Sequence, residues 1–331
     1  MSLVDRINCH LRRAAAALAF FGALGPALAA GSAYPERPVR VIVPFGPGGA
    51  ADVIMRVVAE QLGQEMGQPF VVENRPGAGG TIGTEAVARS RPDGYTIGIG
   101  SVSTHATSVS LYPRLNYDPR TDFTPIYRLA AIPNVMVVPP SLGVRTLQEL
   151  IDLARKQPDR LNFGSNGNGT SQHLGGELFK MRNDVRIVHV PYRNIGSMVT
   201  DLIAGQVQVA FDNLPNMIGH IKAGKLVGLG VTTRERWPDL PDVPTYAEMG
   251  ISDFDIASWI GIFAPAGLPE DVASRLETAV GKVMASREVL ASIRKAGAEP
   301  RPGDARELAS HVKAEIERWA TVVKASGAKL D

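Results

Sequence analysis

Residues 39–65 read VRVIVPFGPGGAADVIMRVVAEQLGQE, and this stretch decides the fold. Val39 to Val43 form a short β-branched run of strand type. Residues 51–65 carry apolar side chains at helical spacing. Between them lies a turn of Pro44, Phe45, Gly46, Pro47, Gly48, Gly49 and Ala50. Strand, glycine-rich turn and helix make up half of a βαβ unit, and the order recurs along the chain. Strand-like runs at 70–73, 96–100, 134–138, 185–189, 209–212 and 227–231 are separated by helical patterns such as 147–157. This alternation predicts an α/β fold built on mostly parallel sheets flanked by helices.

Two more helices are written near the end. Val272, Leu276, Val280 and Val283 recur at helical spacing, as do Leu308, Val312, Ile316, Trp319 and Val323. Their apolar stripes need a lobe to pack on. A chain of 331 residues exceeds what one core usually serves, so two lobes are expected. No long Pro/Gly/Ser linker divides it, which implies that the chain passes between the lobes more than once. Proline-marked breaks at Pro139-Pro140 and from Pro241 to Pro244 suggest the crossing points. The expected division is residues 34–138 plus 260–331 in lobe 1 and 142–252 in lobe 2, with crossovers at 138–142 and 252–260.

The N-terminus has a different character. Arg6, Arg12 and Arg13 precede an apolar run from Ala14 to Ala30 that ends in small residues, the layout of a secretory signal peptide over residues 1–29. Gly22, Gly25 and Pro26 interrupt the run, which falls short of a membrane span. Cleavage is expected near residues 30–34, sending the mature chain to the periplasm. Cys9, the one cysteine, lies inside this segment, so the mature chain would have no disulfide and no cysteine metal site. Removing residues 1–29 takes away three cations and one anion and lowers the formal charge from +2 to zero. Bulk charge therefore offers no argument for nucleic acid or a membrane surface as partner.

In open α/β sheets, ligands sit at the carboxyl ends of strands. Three turns at such ends are rich in Gly, Ser and Thr: Phe45 to Asp52, Ser101 to His105 and Ser165 to Thr170. Each has a structural reading, in which Gly supplies positive φ and Ser or Thr caps a helix. Each also has a binding reading, in which first-turn amides face an anion. None contains Lys or Arg, so an anion there would be held by amides, hydroxyls and helix dipoles. Asp212 ends a strand and either caps the helix that follows or reaches the cleft, where it would repel a bare carboxylate unless an amine, hydroxyl or water intervenes.

Catalytic signatures are absent. There is no G-x-S-x-G, H-E-x-x-H or C-x-x-C motif. The segment from Gly219 to Lys225 imitates a P-loop but has Leu226 in place of the hydroxyl and runs from helix to strand. The glycines of Gly77 to Gly83 miss the dinucleotide spacing. No cofactor is expected.

Beyond these features, the chain resembles the substrate-binding receptors of tripartite tricarboxylate transporters, the Bug proteins. The resemblance is carried by Tyr34-Pro35 through Phe45 with Pro47-Gly48-Gly49 and Asp52, and by the run from Val72 to Gly80. It continues through Pro92-Asp93-Gly94-Tyr95-Thr96, Gly167-Asn168-Gly169-Thr170 with His173, and Val190-Pro191-Tyr192-Arg193. Phe211-Asp212-Asn213, Pro241 to Thr245 and Phe263 to Gly267 complete it. It implies a two-lobed periplasmic binding protein of type II, with the ligand cleft between the lobes. It also implies a non-enzymatic monomer that hands a small carboxylate (a di- or tricarboxylate, acidic amino acid or aromatic acid) to a two-subunit membrane transporter. Ligand contacts carried over are Phe45, Gly46, Gly48, Gly49, Ala50, Ala51 and Asp52; Ser101, Ser103, Thr104 and His105; Ser165, Asn166, Gly167, Gly169 and Thr170; and Asp212. Gly46 stands where the family commonly has Pro, and Ser108 where Asn is often seen. The competing readings are an exported enzyme using Ser165, Ser171 or His173, and a sensor subunit for a membrane kinase.

Overall fold

The computed structural model describes residues 34–251, 254 and 256–326. The signal peptide expected over residues 1–29 lies outside them, as does part of the expected 252–260 crossover.

The β-branched run forms β1 (Val39–Val43), whose buried side chains sit beneath α1 (Ala50–Met66). Gly67, in the left-handed region at φ 73°, ends that helix. β1 pairs in parallel with β2 (Phe70–Asn74) and with β3 (Thr96–Gly100). Between β2 and β3 lies α2 (Thr81–Ala88). After β3 come a π-helical turn (Ser103–Thr107) and a short α3 (Ser108–Leu111), then β4 (Phe123–Ile132).

The second sheet opens with β5 (Asn134–Val138). Next come α4 (Leu147–Lys156), β6 (Asn162–Ser165), α5 (Ser171–Asn183) and β7 (Val188–Pro191). The sheet is completed by α6 (Ile195–Ile203), β8 (Val209–Asn213), α7 (Leu214–Lys222) and β9 (Val227–Val231). The chain then returns to the first sheet through β10 (Ser258–Pro265), α8 (Glu270–Ala285), α9 (Arg287–Lys295), β11 (Glu299–Gly303) and α10 (Ala305–Ser326).

Strand order is β11-β4-β10-β3-β1-β2 in one sheet and β7-β6-β8-β5-β9 in the other. The two share one plan. The strand arriving from the other sheet, β10 or β5, inserts antiparallel between two strands that run the same way. Both sheets are therefore mixed, because a chain returning from the neighbouring lobe enters against the local strand direction.

One boundary differs from expectation. β5 belongs to the second sheet, so the chain changes sheets at Pro133, not at 138–142. Pro139-Pro140 ends β5 and opens a single 3-10 turn instead. The second change falls between β9 and β10.

α10 is fastened to lobe 1 by a buried carboxylate. Glu315 accepts hydrogen bonds from the indole N–H of Trp259 on β10 (3.2 Å) and of Trp319 (2.9 Å), so both large rings are buried without an unpaired donor.

Candidate ligand-binding site

The first turn leaves β1 at Pro44 and enters α1 at Ala50. Gly49 is the N-cap and supplies no side-chain cap, so the first-turn amides of α1 have no intrahelical acceptor. Gly46 and Gly48 border open space, with no atom within 4 Å of where a Cβ would stand, and Gly48 has φ +79°. A ligand can thus approach this backbone closely.

Asp52 organises the turn from beneath. Its carboxylate accepts from the Gly48 amide (2.9 Å), the Arg56 Nε (3.0 and 3.1 Å) and the Asn74 side chain (2.9 Å). The Asn74 amide also donates to the Phe45 carbonyl at 3.0 Å. Desolvation pushes the Asp52 carboxyl upward, but the bonds from Arg56, Gly48 and Asn74 outweigh it and hold the carboxyl below its ordinary value. Both of its oxygens are taken, so Asp52 shapes the turn. Asn74 serves the turn as a hydrogen-bonding brace, whereas Arg56 is the neighbour that carried a sequence signal, its i, i+4 spacing from Asp52, without being singled out.

The second turn is largely an internal device of lobe 1. The Thr104 hydroxyl accepts from the Ser101 amide (3.0 Å) and meets His105 Nδ1 (2.9 Å), while Ser101 and Ser103 hydroxyls pair at 3.1 Å. The His105 ring stacks on Phe263 (4.1 Å) and lies 4.6 Å from Phe123. Complete burial pushes its pKa down to about 3, so it is a neutral core residue. The residue in this region that reaches lobe 2 is Thr107, whose buried hydroxyl donates to the Gly169 carbonyl at 2.7 Å.

The glycine run discounted as a failed dinucleotide motif also belongs here. A Cβ on Gly80 would stand 2.7 Å from Thr104 Cγ2 and 3.2 Å from the Phe45 ring, and one on Gly79 would stand 2.8 Å from the Asn168 carbonyl of lobe 2. Bare backbone at these positions lets the first two turns and the opposite lobe pack together. Gly49 likewise lies against Ile195 at the start of α6, its Cβ position 3.5 Å from Ile195 Cδ1.

In lobe 2, β6 ends at Ser165 and the chain turns into α5. Thr170 is the N-cap, accepting from the His173 amide (3.3 Å) and donating to the Gly167 carbonyl (2.8 Å). The Gly169 amide donates to His173 Nδ1 (3.1 Å). Thr170 and Gly169 therefore spend these groups on the turn, and the α5 amides left without intrahelical acceptors are those of Ser171 and Gln172. The Ser165 hydroxyl lies 2.7 Å from His189 Nε2 and shares itself with Gly167. This Ser–His contact is poorly suited to catalysis. Ser165 is fully buried, and the His189 ring is stacked on His173 at 4.1 Å, its pKa pushed to about 3 by burial and then by His173 and Lys180. Burial and Lys180 likewise lower His173 to about 4.

Asp212 lies at the end of β8. Its Oδ1 accepts from Asn216 (2.8 Å), from Asn166 (3.2 Å) and from the Asn213 amide. Arg193, by contrast, is exposed.

The three turns and Asp212 lie at the carboxyl ends of β1, β3, β6 and β8, and the two lobes touch through Thr107, Gly79 and Gly49. Such convergence is how a two-lobed receptor forms a site.

Comparison with known proteins agrees with this architecture. Residues 54–328 match the tripartite tricarboxylate transporter family receptor, TctC. BugT of Bordetella pertussis is 37% identical over 298 residues, which span 90% of this chain and 91% of BugT. Among solved structures, R. palustris Rpa4515 with adipate superposes with a TM-score of 0.86 at 40% identity, covering 90% of this chain and 100% of that one. MatC from Rhodopseudomonas palustris with bound malate gives a TM-score of 0.82 at 34% identity, covering 88% and 100%. The chain belongs to the tripartite tricarboxylate transporter receptor family of periplasmic solute-binding proteins.

Proposed function

We propose that the mature chain is a periplasmic receptor that closes its two lobes on a small carboxylate and delivers it to a two-subunit membrane transporter without altering it chemically. The observation that carries this reading is the uncapped start of α1, bordered by the open glycines Gly46 and Gly48, with Gly49 set against Ile195 of lobe 2. Free amides and the positive end of a helix suit a carboxylate without needing a cation. Two relatives hold adipate and malate, both small dicarboxylates, which supports the ligand class. Thr107, Gly49 and Gly79, which touch lobe 2, are the contacts that closure would make, so ligand and interlobe contacts favour the same state.

A thermal-shift screen of mono-, di- and tricarboxylates, acidic amino acids and aromatic acids tests the ligand class, with small-angle scattering of the best ligand testing closure. A raised melting temperature with compaction is expected. A screen in which no carboxylate raises the melting temperature would overturn the reading.

A further inference from the structure

The chain passes between the lobes twice, and one side chain touches both passages. Asn134 is the first residue of β5, directly after the sheet change at Pro133. It is 2% exposed, an unusual place for a primary amide. Its backbone is tied to Thr232, the residue that follows β9 where the chain begins its return. The Asn134 amide donates to the Thr232 hydroxyl at 2.8 Å, and the Thr232 amide donates to the Asn134 carbonyl at 3.0 Å. Its side chain reaches further along the return: Asn134 Nδ2 donates to the carbonyl of Ile256, just before β10, at 2.9 Å.

The same group also meets the glycine-rich turn of lobe 2. Asn134 Nδ2 lies 3.5 Å from the hydroxyl of Ser171, the first residue of α5 and one of the two whose amides have no intrahelical acceptor. Ile256 is itself seated on that helix, since a Cβ on Gly175 would stand 3.4 Å from Ile256 Cδ1. First passage, second passage and helix start therefore meet at one buried amide.

As packing alone this arrangement is costly. The Ile256 carbonyl fixes the amide orientation, because the reversed amide would face it with an oxygen. Asn134 Oδ1 is then left buried without a partner among the described residues. An apolar side chain would fill the same space without stranding an acceptor. What asparagine supplies instead is a directional bond across the two passages. Passages that are cross-linked bend together, whereas independent ones can bend at different points and let the lobes twist as well as close.

Resting on the lobe closure proposed above, we propose that Asn134 is a positioning residue that pins the two passages to each other and to the start of α5. The lobes then swing about one axis, and the α5 amides return to the same place opposite lobe 1 at each closure.

Interlobe distances measured by double electron–electron resonance test this. Residues 34–331 contain no cysteine, so a pair introduced at exposed positions, Ile82→Cys in α2 and Ser197→Cys in α6, takes spin labels at those two sites alone. The ligand-free mature chain is compared with Asn134→Leu, with Thr232→Val and with Val137→Ala, a core truncation within β5. Asn134→Leu and Thr232→Val should each broaden the distance distribution, as loss of one hydrogen bond shifts the balance of hinge arrangements by about two- to tenfold. Val137→Ala should lower the melting temperature and leave the distribution as in the wild type. Distributions unchanged in both hinge variants would overturn the proposal. Equal broadening by Val137→Ala would overturn it too, by reducing Asn134 to ordinary packing. Should Asn134→Leu fail to fold, Thr232→Val, which keeps the side-chain shape, decides alone. Malate and adipate added to the wild type probe closure separately: a shortened distance supports it, and an unchanged distance with the probe bound counts against closure while the ligand-free comparison still decides the role of Asn134.

Discussion

A carboxyl kept fully buried among neutral partners should cost the empty protein stability above its folded pKa, and Asp212→Asn measures that cost. Burial raises the Asp212 carboxyl from 3.8 to about 7, against the opposing hydrogen bonds of Asn216, Asn213, Asn166 and Gln172. Between those two values the folded chain binds more protons than the unfolded one. The contribution of this group to stability is therefore fully present below 3.8 and is lost as pH rises through about 7. At about 1.4 kcal/mol for each tenfold change in proton affinity, the folded state above pH 7 gives up about 4 kcal/mol relative to a chain with a neutral group there. That is a ceiling, since the new amide NH2 must itself find an acceptor. With about 2–4 °C per kcal/mol for a domain of this order of size, a rise of several degrees is expected.

The assay is thermal unfolding of ligand-free protein, wild type and Asp212→Asn, from pH 4 to pH 8.5. The variant should melt higher at pH 8.5, with the gap closing as pH falls through 7 and gone near pH 4. An Asp212→Asn protein that is less stable than wild type at pH 8.5 by an amount independent of pH would refute the reasoning.

Asp52 should behave with the opposite sign. Its carboxyl is held below the ordinary value, so its stabilisation is present above pH 3.8 and lost as pH falls through the lower folded value; Asp52→Asn should lower the melting temperature at pH 7 and matter progressively less below pH 4. Thr107→Val keeps the side-chain shape but strands the Gly169 carbonyl in the closed state, a cost of about 1–3 kcal/mol, or roughly five- to 150-fold in ligand affinity. Unchanged affinity and an unchanged scattering profile would remove Thr107 from the closing contact. Thr170→Ala removes a helix cap and should cost about 0.5–2 kcal/mol of stability by denaturant titration. Unchanged stability with a large loss of affinity would instead give the hydroxyl to the ligand.

What could be read from the sequence was whatever local chemistry fixes. The run at Val39–Val43 is β-branched and ends in glycines, so strand, turn and helix start are written in adjacent residues. The sheet change at Pro133 was not legible, because β4 and β5 are separated by that one residue, and a single Pro between two apolar runs does not say that they belong to different sheets. The prolines that did stand out, Pro139 and Pro140, stop a strand in the second sheet. β11 was hidden for a related reason: Pro300 and Pro302 read as non-strand, and the segment survives only because it pairs at the edge of its sheet.

The candidate site divides in the same way. Glycines and hydroxyls mark the turns, but residue type alone does not say which atoms a turn consumes and which it leaves over. Thr170 and Asp52 look like ligand contacts by composition, yet Thr170 spends its hydroxyl within its own loop and Asp52 spends both oxygens on Gly48, Arg56 and Asn74. Thr107 carried no signal, because its acceptor lies 62 residues away on the other lobe. Asp212 is the instructive case, since its place at a strand end allowed a capping and a cleft reading alike. In the fold Oδ1 takes the Asn213 amide together with two side-chain donors, Asn166 and Asn216, while the N-cap of α7 is Asn213 itself, so Asp212 braces the turn without capping the helix. A carboxyl buried in this way ties the stability of lobe 2 to pH, so substitution at this position should change the melting temperature above pH 7.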